Sequence, residues 1–165
     1  MNFNSWQFLV FFPLVTVGYF ALTMGFAKYC RSWSNTLSQI FLLAVSLFFY
    51  GCWNPAYLGL ILLSVTVTWA SGLLMEGKSV QGKRLVLAAS LVINLGILFF
   101  FKYYNFFVYS VTDVLGFGGI RFPSFEVLLP VGISFYTFQA LGYSIDVYYG
   151  RVRAEQNFVT YALFV

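Results

Sequence analysis

Apolar residues along the chain form five long runs separated by short polar stretches, a pattern that predicts membrane-spanning helices. A transmembrane helix needs about 20 mostly apolar residues. The predicted spans cover approximately residues 6–26, 36–50, 55–75, 85 to beyond 101, and 127–148. Pro13 is expected to kink the first span, and Asn54 and Pro55 are expected to open the third as N-cap and first helical residue. The pattern predicts an all-α, polytopic transmembrane fold with about five spans and no domain boundary within residues 1–165.

Basic residues collect in alternate connections between these spans. The chain has nine basic residues, and seven of them follow the first, third and fifth spans: Lys28, Arg31, Lys78, Lys83, Arg84, Arg151 and Arg153. On the opposite side only Arg121 is basic. The positive-inside rule then predicts an N-terminus outside the cell, with the connections near residues 28–35, 76–84 and 150–155 in the cytoplasm.

Residues 85–115 are too long for one untilted crossing, and Lys102 interrupts their apolar run in "FFFKYYNFF". One interpretation is a long tilted helix whose Lys102 reaches the membrane interface. The other, which the tyrosines and Asn105 favour, is a helix that breaks near residues 102–105 and continues along the membrane surface.

The fifth run carries polar groups within "LPVGISFYTFQALGYSIDVYYG", residues 129–150. At 100° per residue, an arc of about 120° contains Gly132, Phe135, Tyr136, Gln139, Gly142, Tyr143 and Asp146. Ile133, Leu141 and Ile145 fall outside it. Because polar side chains in a bilayer rarely face lipid, this strip is expected to turn inward, either as a helix-packing seam or as the wall of a substrate tunnel. For Asp146, an ion pair with Arg151 or Arg153 is favoured over a proton relay.

Composition limits the function classes further. Of the 165 residues, 61% are hydrophobic and 8% are charged, against about a quarter charged in soluble domains. There is no basic face for nucleic acid. Cys30 and Cys52 lie about 33 Å apart along a helix, too far to bridge each other within the chain. The sequence has no histidine, no metal-binding motif and no phosphate-binding loop, so no catalytic, metal or cofactor residue is assigned and residue chemistry alone does not indicate an enzyme.

Four stretches together resemble the N-terminal part of the membrane-bound O-acyltransferase family, in the branch of the alginate O-acetyltransferases. They are "FFPLVTVGYF" (11–20), "SLFFYGCWNPAYLGLILLS" (46–64), "NLGILFFFKYYNFF" (94–107) and "LPVGISFYTFQALGYSIDVYYGRVRAEQNF" (129–158). The resemblance implies a multi-helix enzyme of the bacterial inner membrane, with a cytoplasmic donor side and an extracytoplasmic acceptor side that meet at a central tunnel.

The resemblance also implies what this chain contributes. The family's catalytic histidine lies beyond the matched region, and "NFVTYALFV" is expected to begin another helix, so the chain is interpreted as a fragment that is inactive alone. A supporting role in the helix seam or tunnel wall carries over to Gly132, Ser134, Tyr136, Thr137, Gln139, Tyr143 and Asp146. Tyr149 departs from the family, where arginine often precedes the glycine. Implied partners are the lipid bilayer, the rest of the same protein, an acyl donor and envelope-polymer acetylation proteins.

The functional prediction is transfer of an acyl group, most simply acetyl, to hydroxyls of an exported polysaccharide such as alginate. Two alternatives remain open. The first is a subunit of a transporter or polymer-export complex, in which Pro13 and Pro130 mark broken helices beside the polar strip. The second is a non-catalytic remnant that only inserts into the membrane.

Overall fold

The described part of the chain is helical. The computed structural model describes residues 6–27, 31–52, 55–114 and 132–165, with side chains described for 6–24, 36–52, 55, 57–104 and 132–165. The helices are α1 (Trp6–Ala27), α2 (Arg31–Gly51), α3 (Ala56–Met75), α4 (Val80–Val114), α5 (Ile133–Tyr148) and α6 (Phe158–Phe164), and these ranges include no strand. The predicted all-α fold is confirmed.

Three of the described helices are long and apolar enough to cross a membrane. The qualifying segments are Trp6–Met24 in α1, Tyr57–Met75 in α3 and Val80–Tyr104 in α4. The apolar part of α2, Thr36–Gly51, and the 16-residue α5 are shorter. Sixteen residues rise about 24 Å, less than the roughly 30 Å hydrocarbon core. The predicted count of five spans is therefore approximate, and the start of the fifth, before Gly132, lies outside the described residues.

The break predicted near residues 102–105 is wrong, because α4 runs unbroken through them as a 35-residue helix. Residues 97–114 contain neither glycine nor proline, so nothing in this stretch removes a backbone donor or favours a non-helical conformation. At about 1.5 Å per residue, α4 is about 52 Å long. Lys102 is an exposed helical residue whose Nζ lies 5.5 Å from the centroid of the Tyr103 ring.

The helices belong to two compact units. Unit 1 comprises Met1–Thr66 and Glu155–Val165, and unit 2 comprises Val67–Ala154. In unit 1, α1 and α2 form an antiparallel pair. The ring of Phe11 lies 5.9 Å from that of Phe49 near one end of the pair, and Thr23 Oγ1 lies 3.1 Å from Ser38 Oγ near the other.

Helix α6 also belongs to unit 1 and packs against α2. Asn157 caps it, since its Oδ1 accepts a hydrogen bond of 2.9 Å from the Val159 N–H. Tyr161 is buried, and Thr160 Oγ1 donates to Gln39 Oε1 at 3.5 Å. The helix predicted in "NFVTYALFV" is confirmed.

Large apolar side chains cover the outside of α1, where no part of the membrane-spanning segment is buried. Trp6, Leu14 and Met24 are among the most exposed. Such a helix cannot be stable against water, but it is stable against hydrocarbon. The exposure pattern therefore agrees with lipid as the solvent of this helix.

Unit 2 buries a set of small polar residues alongside its apolar ones. Thr68, Ser71, Ser90, Asn94, Thr137 and Ser144 are all at most 4% exposed. Among membrane helices, small side chains permit close approach and polar groups form hydrogen bonds between helices. These contacts hold α5, the helix with the candidate site, in place.

Candidate functional site

Glycine sets both ends of α5. Gly132 is the N-cap, with φ +77°, and its carbonyl accepts the first helical hydrogen bond from the Tyr136 N–H at 3.0 Å. At the other end, the Arg151 N–H donates to the Asp146 carbonyl at 2.9 Å, and the Gly150 N–H donates to the Val147 carbonyl at 3.1 Å. These two bonds form a Schellman motif, in which a residue with positive φ ends the helix. Gly150 meets this requirement with φ +71°.

The candidate residues of α5 divide between its buried and exposed sides. Tyr136, Thr137 and Tyr143 are buried, at 8% exposure or less. Partly exposed residues are Ser134, Gln139 and Asp146, and Gly132 is exposed. The structure therefore brings three of the seven candidates into the interior of unit 2 and leaves the other four at its edge or surface.

The buried face of α5 is rotated from the predicted strip. Phe135, which the wheel placed inside, is 77% exposed, and Gly142 is also exposed. Ile133 and Leu141, which the wheel placed elsewhere, are 2% and 4% exposed. The centre of the buried face is instead Ala140, at 0%. The physical reason is that lipid is as apolar as an aliphatic side chain, so the hydrophobic effect does not select one side, and contacts with the neighbouring helices decide which side is buried.

A close contact between α3 and α5 was missed by the sequence reasoning. Ser71 Oγ donates to the Thr68 carbonyl at 2.7 Å. Ser144 Oγ donates in the same way to the Ala140 carbonyl at 3.4 Å, and it lies 3.2 Å from Ser71 Oγ, close enough for either hydroxyl to donate to the other. The signal for this contact is the pair of small residues Ala140 and Ser144, four positions apart, a spacing typical of closely packed membrane helices.

Gly72 allows this approach by lacking a side chain. A Cβ atom placed there would lie 2.8 Å from Tyr143 Oη, 3.0 Å from Tyr143 Cε1 and 3.2 Å from Tyr143 Cζ. These distances are shorter than the roughly 3.5–4.0 Å of favourable carbon contacts. The phenol of Tyr143 therefore occupies the space above Gly72, and the two residues together fix how closely α3 and α5 approach.

Helix α4 also packs against α5, and it carries a stripe of buried residues. Ser90, Asn94 and Leu98 recur every four residues and are all buried. Asn94 Nδ2 donates to the Ser90 carbonyl at 3.0 Å, which holds the amide against its own helix. Both neighbours of α5 thus bury small or polar groups at helical spacing.

Asp146 forms the predicted ion pair. Arg151 Nη1 lies 3.2 Å from Asp146 Oδ1, with the two side chains 70% and 40% exposed. The Schellman motif makes this pair possible, because it folds Arg151 back beside the last turn of α5. The Arg151 guanidinium also lies 5.4 Å from the centroid of the Tyr149 ring, so Tyr149 supplies a cation–π contact. Such an exposed pair contributes at most about 1 kcal/mol.

The arrangement can hold helices together but has no chemistry of its own for bond making. The buried hydroxyls of Ser71 and Ser144 donate within the helix seam rather than to a general base. The described residues contain no group of three histidine, cysteine or acidic side chains that could hold a metal ion. Cys52 is free and exposed.

Comparison with known proteins gives relatives across the whole chain. The "Probable alginate O-acetylase AlgI" of Azotobacter vinelandii is 34% identical over 168 residues, covering 100% of this chain and 32% of that protein. The protein of the same name from Pseudomonas aeruginosa is 34% identical over 169 residues, covering 100% of this chain and 30% of its own length. The "Peptidoglycan O-acetyltransferase" of Helicobacter pylori is 33% identical over 148 residues, covering 88% of this chain and 26% of that protein.

No family model matches the chain, and no solved structure matches it significantly. The chain spans about a third or less of the length of these relatives, a share that agrees with the N-terminal portion predicted from the sequence. Because the similarity extends over the entire chain, the chain matches the alginate O-acetylases in the manner expected of an N-terminal portion of the membrane-bound O-acyltransferase family.

Proposed function

We propose that this chain is part of a membrane O-acyltransferase that transfers an acyl group, most simply acetyl, to hydroxyls of an exported cell-envelope polysaccharide. The observation that carries the proposal is the similarity of the whole chain to alginate O-acetylases and, over 88% of its length, to a peptidoglycan O-acetyltransferase. Both names describe acetyl transfer to the hydroxyl of a polysaccharide outside the cytoplasm. The names of these relatives share O-acetylation of a polymer built from sugars, and this defines the proposed class of acceptor. The names differ in the individual polymer, which is alginate in one and peptidoglycan in the other.

The chain contributes scaffold rather than catalyst in this proposal. Acyl transfer to a hydroxyl needs a general base that removes the hydroxyl proton, and histidine is the residue that most often does so. The 165 residues include no histidine. The general base would therefore come from outside these residues, in a protein as long as the relatives.

The role we propose for α5 is to present its outer side to that remaining part. Tyr143 and Ser144 fix α5 against α3. With α5 fixed in this way, Phe135 and Gly142 are exposed and Gln139 is partly exposed. Gln139 is an amide within an apolar helix, and such a group is stabilised by another helix or a wet cavity rather than by lipid. The tunnel wall or helix seam would then lie on this side.

The proposed orientation places the N-terminus outside and the basic connections in the cytoplasm of a bacterial inner membrane. The support is the distribution of charge, with Lys78, Lys83 and Arg84 on one connection and Arg151 and Arg153 on another. An acyl donor would then be used at the cytoplasmic side and the polymer acylated at the other, with the envelope-polymer acetylation proteins as partners.

The test is acetyl-ester content in a bacterial host that produces alginate and peptidoglycan but lacks its own O-acetylation genes. The intact protein containing this chain is expressed, both polymers are isolated, and base-labile acetate is quantified on each. Ester on either polymer is expected, and the polymer that carries it identifies the acceptor. Unmodified polymers from cells with a normal amount of the protein in the membrane would refute acyl transfer. If the amount of exported polymer changed instead, the transporter alternative would be favoured.

A further inference from the structure

Basic residues collect where α3 ends, α4 begins and α5 ends. Ser71 and Ser144, which are in contact, each lie four residues before the last residue of their helix. Four helical residues rise about 6 Å, so the ends of α3 and α5 both lie near this contact. The short turn of residues 76–79 leads from α3 directly into α4. These segments form what we call the basic end of unit 2: Lys78, Lys83, Arg84, Arg151 and Arg153.

Among the described residues, most of this positive charge is not paired with a carboxylate. Arg151 is paired with Asp146. Within the described part of the chain, the other four basic residues form no salt bridge, and neither does the exposed Glu76 in the same turn. With Glu155, two residues beyond Arg153, five positive charges stand against three negative ones here. An excess of two positive charges at the end of an apolar unit attracts an anionic surface.

Exposed apolar side chains lie between these charges. Val80 and Leu85, on either side of Lys83 and Arg84, are 74% and 73% exposed. Val152, between Arg151 and Arg153, is 50% exposed. Exposed aliphatic groups do not contribute to the binding of a soluble anion. A membrane interface favours them, because lysine and arginine can extend to the headgroups while neighbouring apolar groups enter the acyl region.

We propose that the basic end binds the headgroups of anionic phospholipids in the adjoining leaflet, with its four unpaired cations supplying most of the attraction. The proposal concerns the membrane environment of unit 2 and does not depend on acyl transfer. A juxtamembrane lysine or arginine strengthens attraction to an anionic leaflet by about fivefold. Removal of two adjacent charges is then expected to weaken binding by roughly 10- to 25-fold.

The experiment uses the intact protein in vesicles that contain equal amounts of phosphatidylglycerol and phosphatidylcholine. After gentle detergent extraction, the lipids that remain bound are counted by native mass spectrometry. The wild type is expected to retain phosphatidylglycerol preferentially, and the double variant Lys83→Gln/Arg84→Gln to lose most of that preference. Equal retention by wild type and double variant would overturn the proposal. The charge-conserving variant Lys83→Arg/Arg84→Lys is expected to keep the preference, and its loss would also count against the proposal.

Lys102 provides the matched control, because it is a basic residue of the same helix about 28 Å farther along. Lys102→Gln removes a single charge away from the basic end and is expected to weaken the preference by at most about fivefold, less than the double variant does. A loss as large as in the double variant would mean that total charge, rather than this cluster, determines lipid retention. Addition of millimolar glycerol phosphate should not displace the lipid. Displacement would instead identify a site for a soluble anion and overturn the proposed membrane contact.

Discussion

Substitution of Gly72 by alanine tests the close contact between α3 and α5 most directly. The added Cβ would lie 2.8–3.2 Å from three atoms of the Tyr143 side chain. Tyr143 is only 8% exposed, so the ring cannot swing into open space. Overpacking of this kind costs about 1–3 kcal/mol. The same substitution gains about 0.5–1 kcal/mol from the higher helix propensity of alanine.

Gly96→Ala separates these two contributions. Gly96 lies within α4 in the same unit, and a Cβ there would meet no atom within 4 Å. The propensity gain is then common to both variants, and the difference in stability between them is the overpacking cost of about 1–3 kcal/mol. For a protein of this size, 1 kcal/mol corresponds to about 2–4 °C in the thermal midpoint. We expect Gly72→Ala to unfold roughly 2–12 °C below Gly96→Ala in detergent, measured by tryptophan fluorescence.

A double variant links this effect to the phenol itself. Gly72→Ala combined with Tyr143→Phe removes the nearest of the three contacting atoms but keeps the ring. The cost of the alanine should therefore be smaller when Tyr143→Phe is also present, a coupling that a double-mutant cycle measures. If Gly72→Ala raised the midpoint as much as Gly96→Ala does, the reasoning about helix approach would be refuted.

Three further experiments test other parts of the site. Gln139→Leu should lower acetyl-ester yield far more than Phe138→Leu, because Phe138 is 60% exposed and on another face of α5; equal yields would show that the amide has no special role. Gly150→Ala should lower the thermal midpoint, since a left-handed conformation costs a non-glycine residue about 1–2 kcal/mol, and an unchanged midpoint would mean that the Schellman motif is dispensable. Ser71→Ala and Ser144→Ala should show a coupling near ~0.6 kcal/mol in a double-mutant cycle, whereas strictly additive losses would place no hydrogen bond between them.

Helix boundaries were largely predictable, because they depend on local chemistry. The first span was predicted at residues 6–26 and α1 covers Trp6–Ala27. The third was predicted to end at Met75, and α3 ends there, just before Gly77 with φ +71°. The error at residues 102–105 arose because Lys102 was given more weight than the lack of any helix-breaking residue. In a long helix, one charge at an interface costs less than the lost backbone hydrogen bonds of a break.

The candidate site was predictable only in part. The ion pair of Asp146 with Arg151 follows from five residues of sequence and a glycine between them, so local reasoning reached it. Ser71 and Ser144 are separated by 73 positions, and nothing local indicates that they meet. The predicted strip mixed buried Tyr143 with exposed Phe135. The helical wheel placed those two residues on one side, whereas contacts with the neighbouring helices buried one and left the other exposed.

The sequence by itself determined that the helices are apolar enough for lipid, where α1 begins and ends and where α3 ends, and which proteins the chain resembles. These properties depend on composition, on local propensity and on the order of residues. Only the tertiary structure decided which side of α5 faces α3. In water, the hydrophobic effect would bury the most apolar side of the helix. In a bilayer every apolar side can contact lipid, so the hydrophobic effect does not favour one of them. The choice therefore depends on where glycine and serine permit close approach, and that requires both helices to be known together.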